Sequence, residues 1–237
     1  MIVVQISDSH IFLPEPDGSK RLYNLQQAVD EINRLNERPD VVLHTGDITH
    51  NATREEYQAA HKILSGLQAP LFVIPGNRDR RTMMREIFAN EISKGKIEPF
   101  IQYKLDQWDT RLILLDTLDE NDRLGEYCES RFHDFAEMLN NDKKKPTAIF
   151  MHHPPYDVVA APHPFQFDAR TTVERLEKLM AKHPQILGIY CGHSHRATTG
   201  KLGAIKASTI PALSIDLRFG EYPESHKDRP IIYIHKF

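Results

Sequence analysis

The first third of the chain alternates short β-branched apolar runs with longer stretches whose apolar residues recur at helical spacing. The runs at 2–6, 41–43 and 71–74 predict buried strands. Between them, apolar positions three and four residues apart predict helices over 25–35 and 57–67. We therefore expect a strand–helix–strand–helix–strand order here, in which helices cover a sheet.

The ends of these two helices carry recognisable signals. Pro39 disfavours helical geometry in the residue before it, so the first helix is expected to end near Arg38. Thr53 is the predicted N-cap of the second helix, because its hydroxyl can accept a hydrogen bond from a free amide of the first turn.

The rest of the chain has a mixed pattern of short strands, further helices and one long loop. The predicted helices are 82–89, 131–139 and 173–180, and the predicted strands are 101–105, 112–115, 147–151, 186–190, 205–208, 213–217 and 231–234. The first two of these strands are close enough to form a hairpin. Residues 156–167 show no periodicity and indicate a loop. Together the elements predict one α/β domain over residues 1–237.

Polar residues follow five of the predicted strands at the point where each strand ends. The segments are 7–10 (Ser-Asp-Ser-His), 44–50 (His-Thr-Gly-Asp-Ile-Thr-His), 75–79 (Pro-Gly-Asn-Arg-Asp), 152–155 (His-His-Pro-Pro) and 191–195 (Cys-Gly-His-Ser-His). Each segment alone is typical of an ordinary turn. All five together indicate a site, because ligands of open α/β sheets bind where the carboxyl ends of strands meet.

The residue types in these segments are those that bind metal ions. The seven candidate ligands are Asp8, His10, Asp47, Asn77, His152, His193 and His195. Imidazole nitrogens with carboxylate and amide oxygens, and no thiolate, favour Mn, Fe, Zn or Co. Seven ligands exceed the need of one ion, whereas two divalent ions that share a carboxylate would use them all. Two such ions can clamp the attacking and leaving oxygens of a displacement at phosphorus.

Composition narrows the class of protein further. The 237 residues carry a formal net charge of −3, which argues against a nucleic-acid partner. The N-terminal residues have no basic leader, no apolar run reaches membrane-spanning length, and Cys128 and Cys191 form no metal-binding pair. These features predict a cytoplasmic protein with reduced thiols and no membrane partner.

The order of these motifs resembles that of a known family. Asp-x-His, Gly-Asp, Gly-Asn, His-x-Pro-Pro and Gly-His-x-His occur between Asp8 and His195, as in the calcineurin-like metallophosphoesterases. The His-His-Pro-Pro segment and the stretches 38–40 and 55–57 resemble one branch, the bacterial class III cyclic nucleotide phosphodiesterases and their glycerophosphodiesterase relatives. The resemblance implies a four-layer α/β/β/α sandwich of two mixed sheets flanked by helices.

The resemblance also implies a dinuclear metal site and a reaction. In that family pattern one ion would be held by Asp8, His10 and His195, the other by Asn77, His152 and His193, and Asp47 would bridge them. A metal-bound hydroxide would attack the phosphorus of a small phosphodiester, such as a 3',5'-cyclic nucleotide (cAMP, for example) or a glycerophosphodiester. The physical reason is that a metal ion lowers the pKa of bound water to about 7.

Two positions depart from the family pattern. Arg78 stands where the family usually has a histidine that contacts the phosphate and can protonate the leaving group, and His50 stands where Asp or Asn is common. Arginine stays protonated, so Arg78 can stabilise charge but cannot donate a proton. Our hypothesis is that Arg78 binds the phosphate and His50 transfers the proton. His153 is a third catalytic candidate, and His44 is expected to be structural.

Other functions stay open on the sequence alone. A phosphomonoesterase or a nuclease of the same family is one alternative, and a metal-binding scaffold with weak or no catalysis is another. The complete set of candidate ligands argues against the scaffold. Four aromatic residues are candidates for stacking a base of the substrate: Phe12, Tyr156, Phe165 and Phe167. The expected oligomeric state is a monomer or a homodimer.

Overall fold

The computed structural model of the chain describes residues 1–14 and 16–237. Within them the strands are β1 (Ile2–Ile6), β2 (Val41–His44), β3 (Leu71–Val73), β4 (Tyr103–Leu105), β5 (Arg111–Leu115), β6 (Thr147–Met151), β7 (Ile186–Cys191), β8 (Thr198–Leu202), β9 (Ile205–Thr209) and β10 (Tyr233–Lys236). The helices are α1 (Asp17–Asn33), α2 (Arg54–Leu64), α3 (Arg81–Ile87), α4 (Glu129–Asn140) and α5 (Arg170–Met180). Short 3-10 helices lie at Ile215–Leu217 and Glu224–His226.

The strands form two mixed sheets. The first has the order β10-β1-β2-β3, in which β1, β2 and β3 are parallel and β10 is antiparallel to β1. The second has the order β4-β5-β6-β7-β9-β8, in which parallel strands β5, β6, β7 and β9 lie between antiparallel β4 and β8. The predicted pair of mixed sheets is thereby confirmed, and β4 with β5 is the predicted hairpin.

Alternate residues of the second sheet belong to two different cores. Leu112, Leu114 and Phe150 are fully buried in the core that contains β1, β2, α1 and α2. Their neighbours Ile113 and Ile149 are fully buried in a second core with α4 and α5. Because successive side chains of a strand point to opposite faces, the second sheet lies between the first sheet and a helical layer. The layers follow the predicted order of helix, sheet, sheet and helix.

Helix α2 begins with the predicted cap. The hydroxyl of Thr53 accepts a hydrogen bond from Glu56 N at 3.3 Å, and the Glu56 carboxylate accepts one from Thr53 N at 3.4 Å. This reciprocal pair satisfies two amides that the first turn leaves free. Helices α1 and α2 end at Asn33 and Leu64, a few residues before the predicted ends.

The strand expectations are wrong in the last quarter of the chain. Residues 213–217 form no strand: Ile215–Leu217 is a 3-10 helix, and Leu213 N donates to Ser7 O at 2.9 Å. The segment is apolar because it packs against the loop after β1. Strand β8 was not predicted, since Thr-Thr-Gly-Lys-Leu has no apolar alternation and depends on pairing with β9. Among the described helices, none has both the length and the apolar character of a membrane span.

Candidate metal centre

Five loops meet at one end of the sandwich, each following the carboxyl end of a parallel strand. They follow β1, β2, β3, β6 and β7 and carry the seven candidate ligands. The first two loops are bonded to each other, since Asp8 N donates to Gly46 O at 3.0 Å and His10 N donates to Asp47 O at 2.9 Å. The structure brings all seven side chains into one cluster, and most of them are buried.

The first group of the cluster consists of Asp8, His10, Asp47 and His195. His195 Nε2 lies 3.0 Å from His10 Nε2 and 3.4 Å from Asp8 Oδ1. His10 Nε2 lies 3.4 Å from Asp47 Oδ2. Two imidazole nitrogens and two carboxylate oxygens therefore face one small space.

The second group consists of Asn77, His152, His193 and the other oxygen of Asp47. Asn77 Oδ1 lies 3.2 Å from His152 Nε2 and 2.8 Å from His193 Nδ1. His152 Nε2 lies 3.6 Å from Asp47 Oδ1. The two oxygens of Asp47 thus face different groups, which is the geometry of a bridging carboxylate.

Hydrogen-bond acceptors outside the cluster orient three of the imidazoles. The bonds run from His152 Nδ1 to the Thr45 carbonyl (2.8 Å), from His195 Nδ1 to the Leu217 carbonyl (3.1 Å) and from His193 Nε2 to Gln166 Oε1 (2.6 Å). In each ring the outer nitrogen donates its hydrogen to the acceptor, so the inner nitrogen faces the cluster. Metal-binding histidines are typically oriented in this way.

The backbone of the cluster has a left-handed conformation that is uncommon outside glycine. Six non-glycine residues of the described chain have φ between 41° and 69°, and five of them are candidate ligands: Asp8, His10, Asp47, His193 and His195. The left-handed conformation costs a non-glycine residue about 1–3 kcal/mol and persists only where the surroundings impose it. Its concentration here indicates a site whose geometry serves a function.

Glycines allow the loops after β2 and β3 to approach each other at the shared carboxylate. A Cβ atom at Gly46 would lie 2.5 Å from Gly76 N, and one at Gly76 would lie 2.3 Å from Asp47 Oδ1. Gly46 also has a φ of +99°. The Gly-Asp and Gly-Asn motifs therefore bring Asp47 and Asn77 together through close backbone contact.

The protonation states suit a pair of divalent cations. Burial lowers the pKa of His10 and that of His193 to about 3, so both rings are neutral near pH 7 and retain a lone pair. Burial alone would raise the pKa of Asp8, but its hydrogen bond with His195 lowers the pKa to about 2 and keeps the carboxylate ionised. Burial alone would lower the pKa values of His152 and His195, but the charge of Asp47 raises that of His152 to about 9 and the hydrogen bond with Asp8 raises that of His195. A bound cation would displace the protons of these two rings, since a histidine ligand must be neutral. Imidazoles, ionised carboxylates and an amide oxygen form a donor set that fits metal ions.

Arg78 and His50 line a pocket of about 540 Å³ beside the second group. Arg78 N donates to Asp47 Oδ1 at 2.7 Å, and its guanidinium forms no ion pair with a described residue. His50 Nδ1 accepts a hydrogen bond from Arg21 Nη1 at 3.4 Å, so the ring hydrogen is on Nε2. Burial, and then the charges of Arg78 and Arg21, lower the pKa of His50.

These contacts disagree with the hypothesis that His50 transfers a proton to the leaving group. A proton donor must be protonated before the reaction, whereas burial and the neighbouring guanidiniums lower the pKa of His50 and disfavour its protonated form. A neutral ring with hydrogen on Nε2 is instead a hydrogen-bond donor to a phosphate oxygen.

His153 lies beside the cluster, yet both of its ring nitrogens are already bonded. Nδ1 accepts from Thr117 Oγ1 at 2.8 Å, and Nε2 donates to the Arg123 carbonyl at 3.1 Å. The ring is fully buried and stacks near His193, with centroids 4.5 Å apart. One ligand atom of His153 lies within 4.8 Å of those of His152 and His193, so the side chain belongs to the edge of the cluster. Its two hydrogen bonds favour a positioning role, in which His153 holds the 117–123 segment in place.

His44 has the structural role that the sequence predicted. It is fully buried at the end of β2. Its Nδ1 accepts from Gly46 N at 3.3 Å, and its Nε2 is 2.9 Å from Ser9 Oγ. Both nitrogens therefore orient the loops that carry the candidate ligands.

Three of the four aromatic candidates for base stacking lie elsewhere. Phe167 is fully buried in the core under α4 and α5, and Tyr156 and Phe165 pack against the same core. Phe12 lies beside the pocket, since its ring centroid is 5.3 Å from that of His50. The four candidates therefore form no common stacking surface, because the long loop turns its aromatic residues inward.

Arg21 of α1 connects the two loops that carry His10 and His195 of the first group. This residue was not identified from the sequence. Its guanidinium donates to the His10 carbonyl at 3.0 Å and to Asp216 Oδ2 at 3.1 and 2.8 Å. Asp216 precedes Leu217, whose carbonyl accepts from His195. Arg21 precedes the predicted helix 25–35 and belongs to no motif, so no signal in the sequence indicated this contact.

Replacing Arg21 by methionine is expected to weaken metal binding about 10- to 100-fold, the usual effect of removing an outer partner of a metal site. The change removes the common anchor of the loops that carry His10 and His195. Metal affinity of the metal-free protein can be measured by competition with a chelating dye. Lys20→Met on the exposed side of the same helix is the control, and wild-type affinity in a folded R21M protein would contradict the assignment.

The fold and this cluster define a class, the metal-dependent phosphoester hydrolases of the calcineurin type. Residues 1–197 match the family model described as calcineurin-like phosphoesterase. A probable glycerophosphodiester phosphodiesterase GpdQ of Arcobacter nitrofigilis is 32% identical, over 99% of this chain and 88% of that protein. A 3',5'-cyclic adenosine monophosphate phosphodiesterase CpdA of Vibrio vulnificus is 26% identical, over 91% of this chain and 77% of that protein.

Solved structures agree with the fold. The crystal structure of a dimetal phosphatase from Danio rerio superposes with a TM-score of 0.73 at 16% identity, covering 90% of this chain and 88% of that one. The chain belongs to the calcineurin-like phosphoesterase family. The predicted resemblance, sandwich fold and enzyme class are thereby confirmed.

Proposed function

We propose that the protein is a dinuclear phosphodiesterase that hydrolyses small phosphodiesters. Asp8, His10 and His195 hold one divalent ion, Asn77, His152 and His193 hold the other, and Asp47 bridges them. The observation that carries this proposal is the carboxylate of Asp47, whose two oxygens face the two groups at 3.4 and 3.6 Å. The donor set is compatible with Mn, Fe, Zn or Co.

Metal ions in this site would supply an activated water near neutral pH and would neutralise charge on the phosphoryl oxygens. The chain's own residues position the substrate. The unpaired guanidinium of Arg78 binds a phosphoryl oxygen and stabilises the charge that develops in the transition state. His50 donates a second hydrogen bond to the phosphate through Nε2.

The relatives support diesters as the substrate class. Relatives named as glycerophosphodiester and cyclic nucleotide phosphodiesterases align with nearly the whole chain. A pocket of about 540 Å³ beside the cluster has room for a small diester, since ligand pockets are roughly 300–1,000 Å³. The cytoplasmic location and the monomeric or dimeric state stay predictions from the sequence.

Hydrolysis of bis(p-nitrophenyl) phosphate by metal-free protein titrated with Mn²⁺ tests the proposal. Its p-nitrophenolate leaving group needs little protonation, so the assay isolates metal-dependent attack from the question of the acid. We expect turnover that saturates near two metal ions per chain. Stoichiometric metal binding without turnover would favour the scaffold, and preference for p-nitrophenyl phosphate would favour a phosphomonoesterase.

The role of His50 is tested by comparing leaving groups. His50→Ala is expected to lower kcat/KM about tenfold for both an aryl diester and glycerophosphocholine, because one hydrogen bond to a charged group is lost. His133→Ala, at an exposed position of α4, is the control. A loss confined to glycerophosphocholine, whose alkoxide needs a proton, would instead restore the proton-transfer hypothesis.

A further inference from the structure

Three arginines face the pocket beside the cluster without an acidic partner. Arg78, Arg80 and Arg123 all line it, and none of the three forms an ion pair with a described residue. Only Arg80 has a side-chain hydrogen bond, from Nη1 to the Asp79 carbonyl at 3.2 Å. Unpaired like charges at one pocket favour an anionic ligand.

The two carboxylates of the same pocket do not neutralise these charges. Glu120 accepts a hydrogen bond from Arg81 N at 3.0 Å. Asp122 accepts from the backbone amides of Arg123 at 2.5 Å and Leu124 at 3.3 Å. Glu120 therefore bonds to the backbone at the start of α3 and Asp122 to the backbone of its own loop, which leaves the guanidiniums available.

The position of Arg123 is fixed from beneath by buried groups. The fully buried ring of His153 donates to the Arg123 carbonyl at 3.1 Å, and His153 is itself held by Thr117. Arg80 is fixed in the same way, because its amide donates to the buried Tyr57 hydroxyl at 2.8 Å. The backbone that presents both arginines is thus tied to the core of the sandwich.

We propose that Arg80 and Arg123 form a subsite for a second phosphate group of the substrate. The inference rests on the proposed function, in which the reacting phosphate occupies the metal centre and contacts Arg78. One phosphate does not account for three guanidiniums around the pocket. A second phosphate on the same molecule would reach the two remaining arginines and form charge-assisted hydrogen bonds with them.

The test compares two substrates that differ only in a phosphate group. Thymidine 5'-(p-nitrophenyl phosphate) and its 3'-phosphorylated form have the same reacting diester and the same leaving group. We expect kcat/KM to be at least tenfold higher for the 3'-phosphorylated substrate. The preference should shrink as salt is raised, because the subsite is partly exposed.

Variants of Arg123 test whether this residue causes the preference for the 3'-phosphorylated substrate. Arg123→Glu is expected to abolish or invert the ratio of the two kcat/KM values, and Arg123→Lys should retain part of it. Arg34→Ala, which removes an exposed arginine of the α1 C-terminus, is the control for net charge and should leave the ratio unchanged.

The outcomes separate the two proposals. Equal kcat/KM for both substrates in the wild-type protein, or a preference that Arg123→Glu does not alter, would overturn the subsite and leave the phosphodiesterase intact. If neither substrate is hydrolysed by protein loaded with Mn²⁺, the proposed function fails first.

Discussion

Replacing Asp47 by asparagine is expected to lower kcat for bis(p-nitrophenyl) phosphate about 10³-fold, since metal ions supply several kcal/mol of transition-state stabilisation. The same change should reduce the bound metal from two ions to one or none. Asparagine keeps the size of the side chain but has one oxygen and no charge, whereas Asp47 presents an oxygen to each group. Steady-state kinetics and elemental analysis of the purified variant measure the two effects.

The control for this variant is Asp109→Asn, which makes the same chemical change at an exposed turn position. It should have wild-type kcat and metal content. Thermal unfolding of both variants without metal shows whether D47N is folded. Two bound ions and a wild-type kcat in D47N would show that Asp47 does not bridge a metal pair.

Replacing Arg78 by alanine is expected to lower kcat/KM for diesters about 10²-fold without changing the metal content. Hydrogen bonds to charged groups are worth about 1.5–3 kcal/mol, and each 1.36 kcal/mol is a factor of about ten. Arg78 directly follows the candidate ligand Asn77 in the chain, and its backbone amide donates a hydrogen bond to Asp47. Arg78→Lys should recover part of the loss, since an ammonium keeps the charge without the paired donors.

A further variant at the same position separates phosphate binding from proton transfer. Arg78→His places a titratable group there, so it should favour glycerophosphocholine over bis(p-nitrophenyl) phosphate relative to the wild-type protein. Because alkoxides need a proton and p-nitrophenolate does not, the ratio of the two rates measures this effect.

Wild-type kcat/KM in Arg78→Ala would show that the guanidinium does not contact the reacting phosphate.

Local pattern was sufficient for most of the fold. The buried runs 2–6, 41–43 and 147–151 form β1, β2 and β6, because a strand buried on both faces needs continuous apolar residues. The same reasoning failed for 213–217, where the apolar residues are buried by loops and not by a sheet. Strand β8 has no hydrophobic pattern of its own, since its backbone is stabilised by antiparallel pairing with the next strand, β9.

The candidate ligands of the site also follow from local motifs, but the residues that orient those ligands do not. The seven candidate ligands each follow a predicted strand, and the carboxyl ends of parallel strands lie at the same edge of a sheet. Their proximity could therefore be inferred from the sequence. Arg21, Gln166 and the Leu217 carbonyl come from distant segments without a motif. The lowered pKa of His50 likewise depends on burial and on the charges of Arg78 and Arg21, which only the tertiary structure places beside it.

The sequence by itself therefore determined the family, the sandwich and the candidate metal ligands, because these depend on residue type and order along the chain. The tertiary structure decided what each remaining polar group does. His153 binds a backbone segment, burial and two guanidiniums lower the pKa of His50, and Arg123 lines the pocket without an ion pair to a described residue. These properties come from contacts between loops far apart in sequence. Hydrogen-bond partners and local charge are properties of the folded surroundings, and they set protonation and specificity.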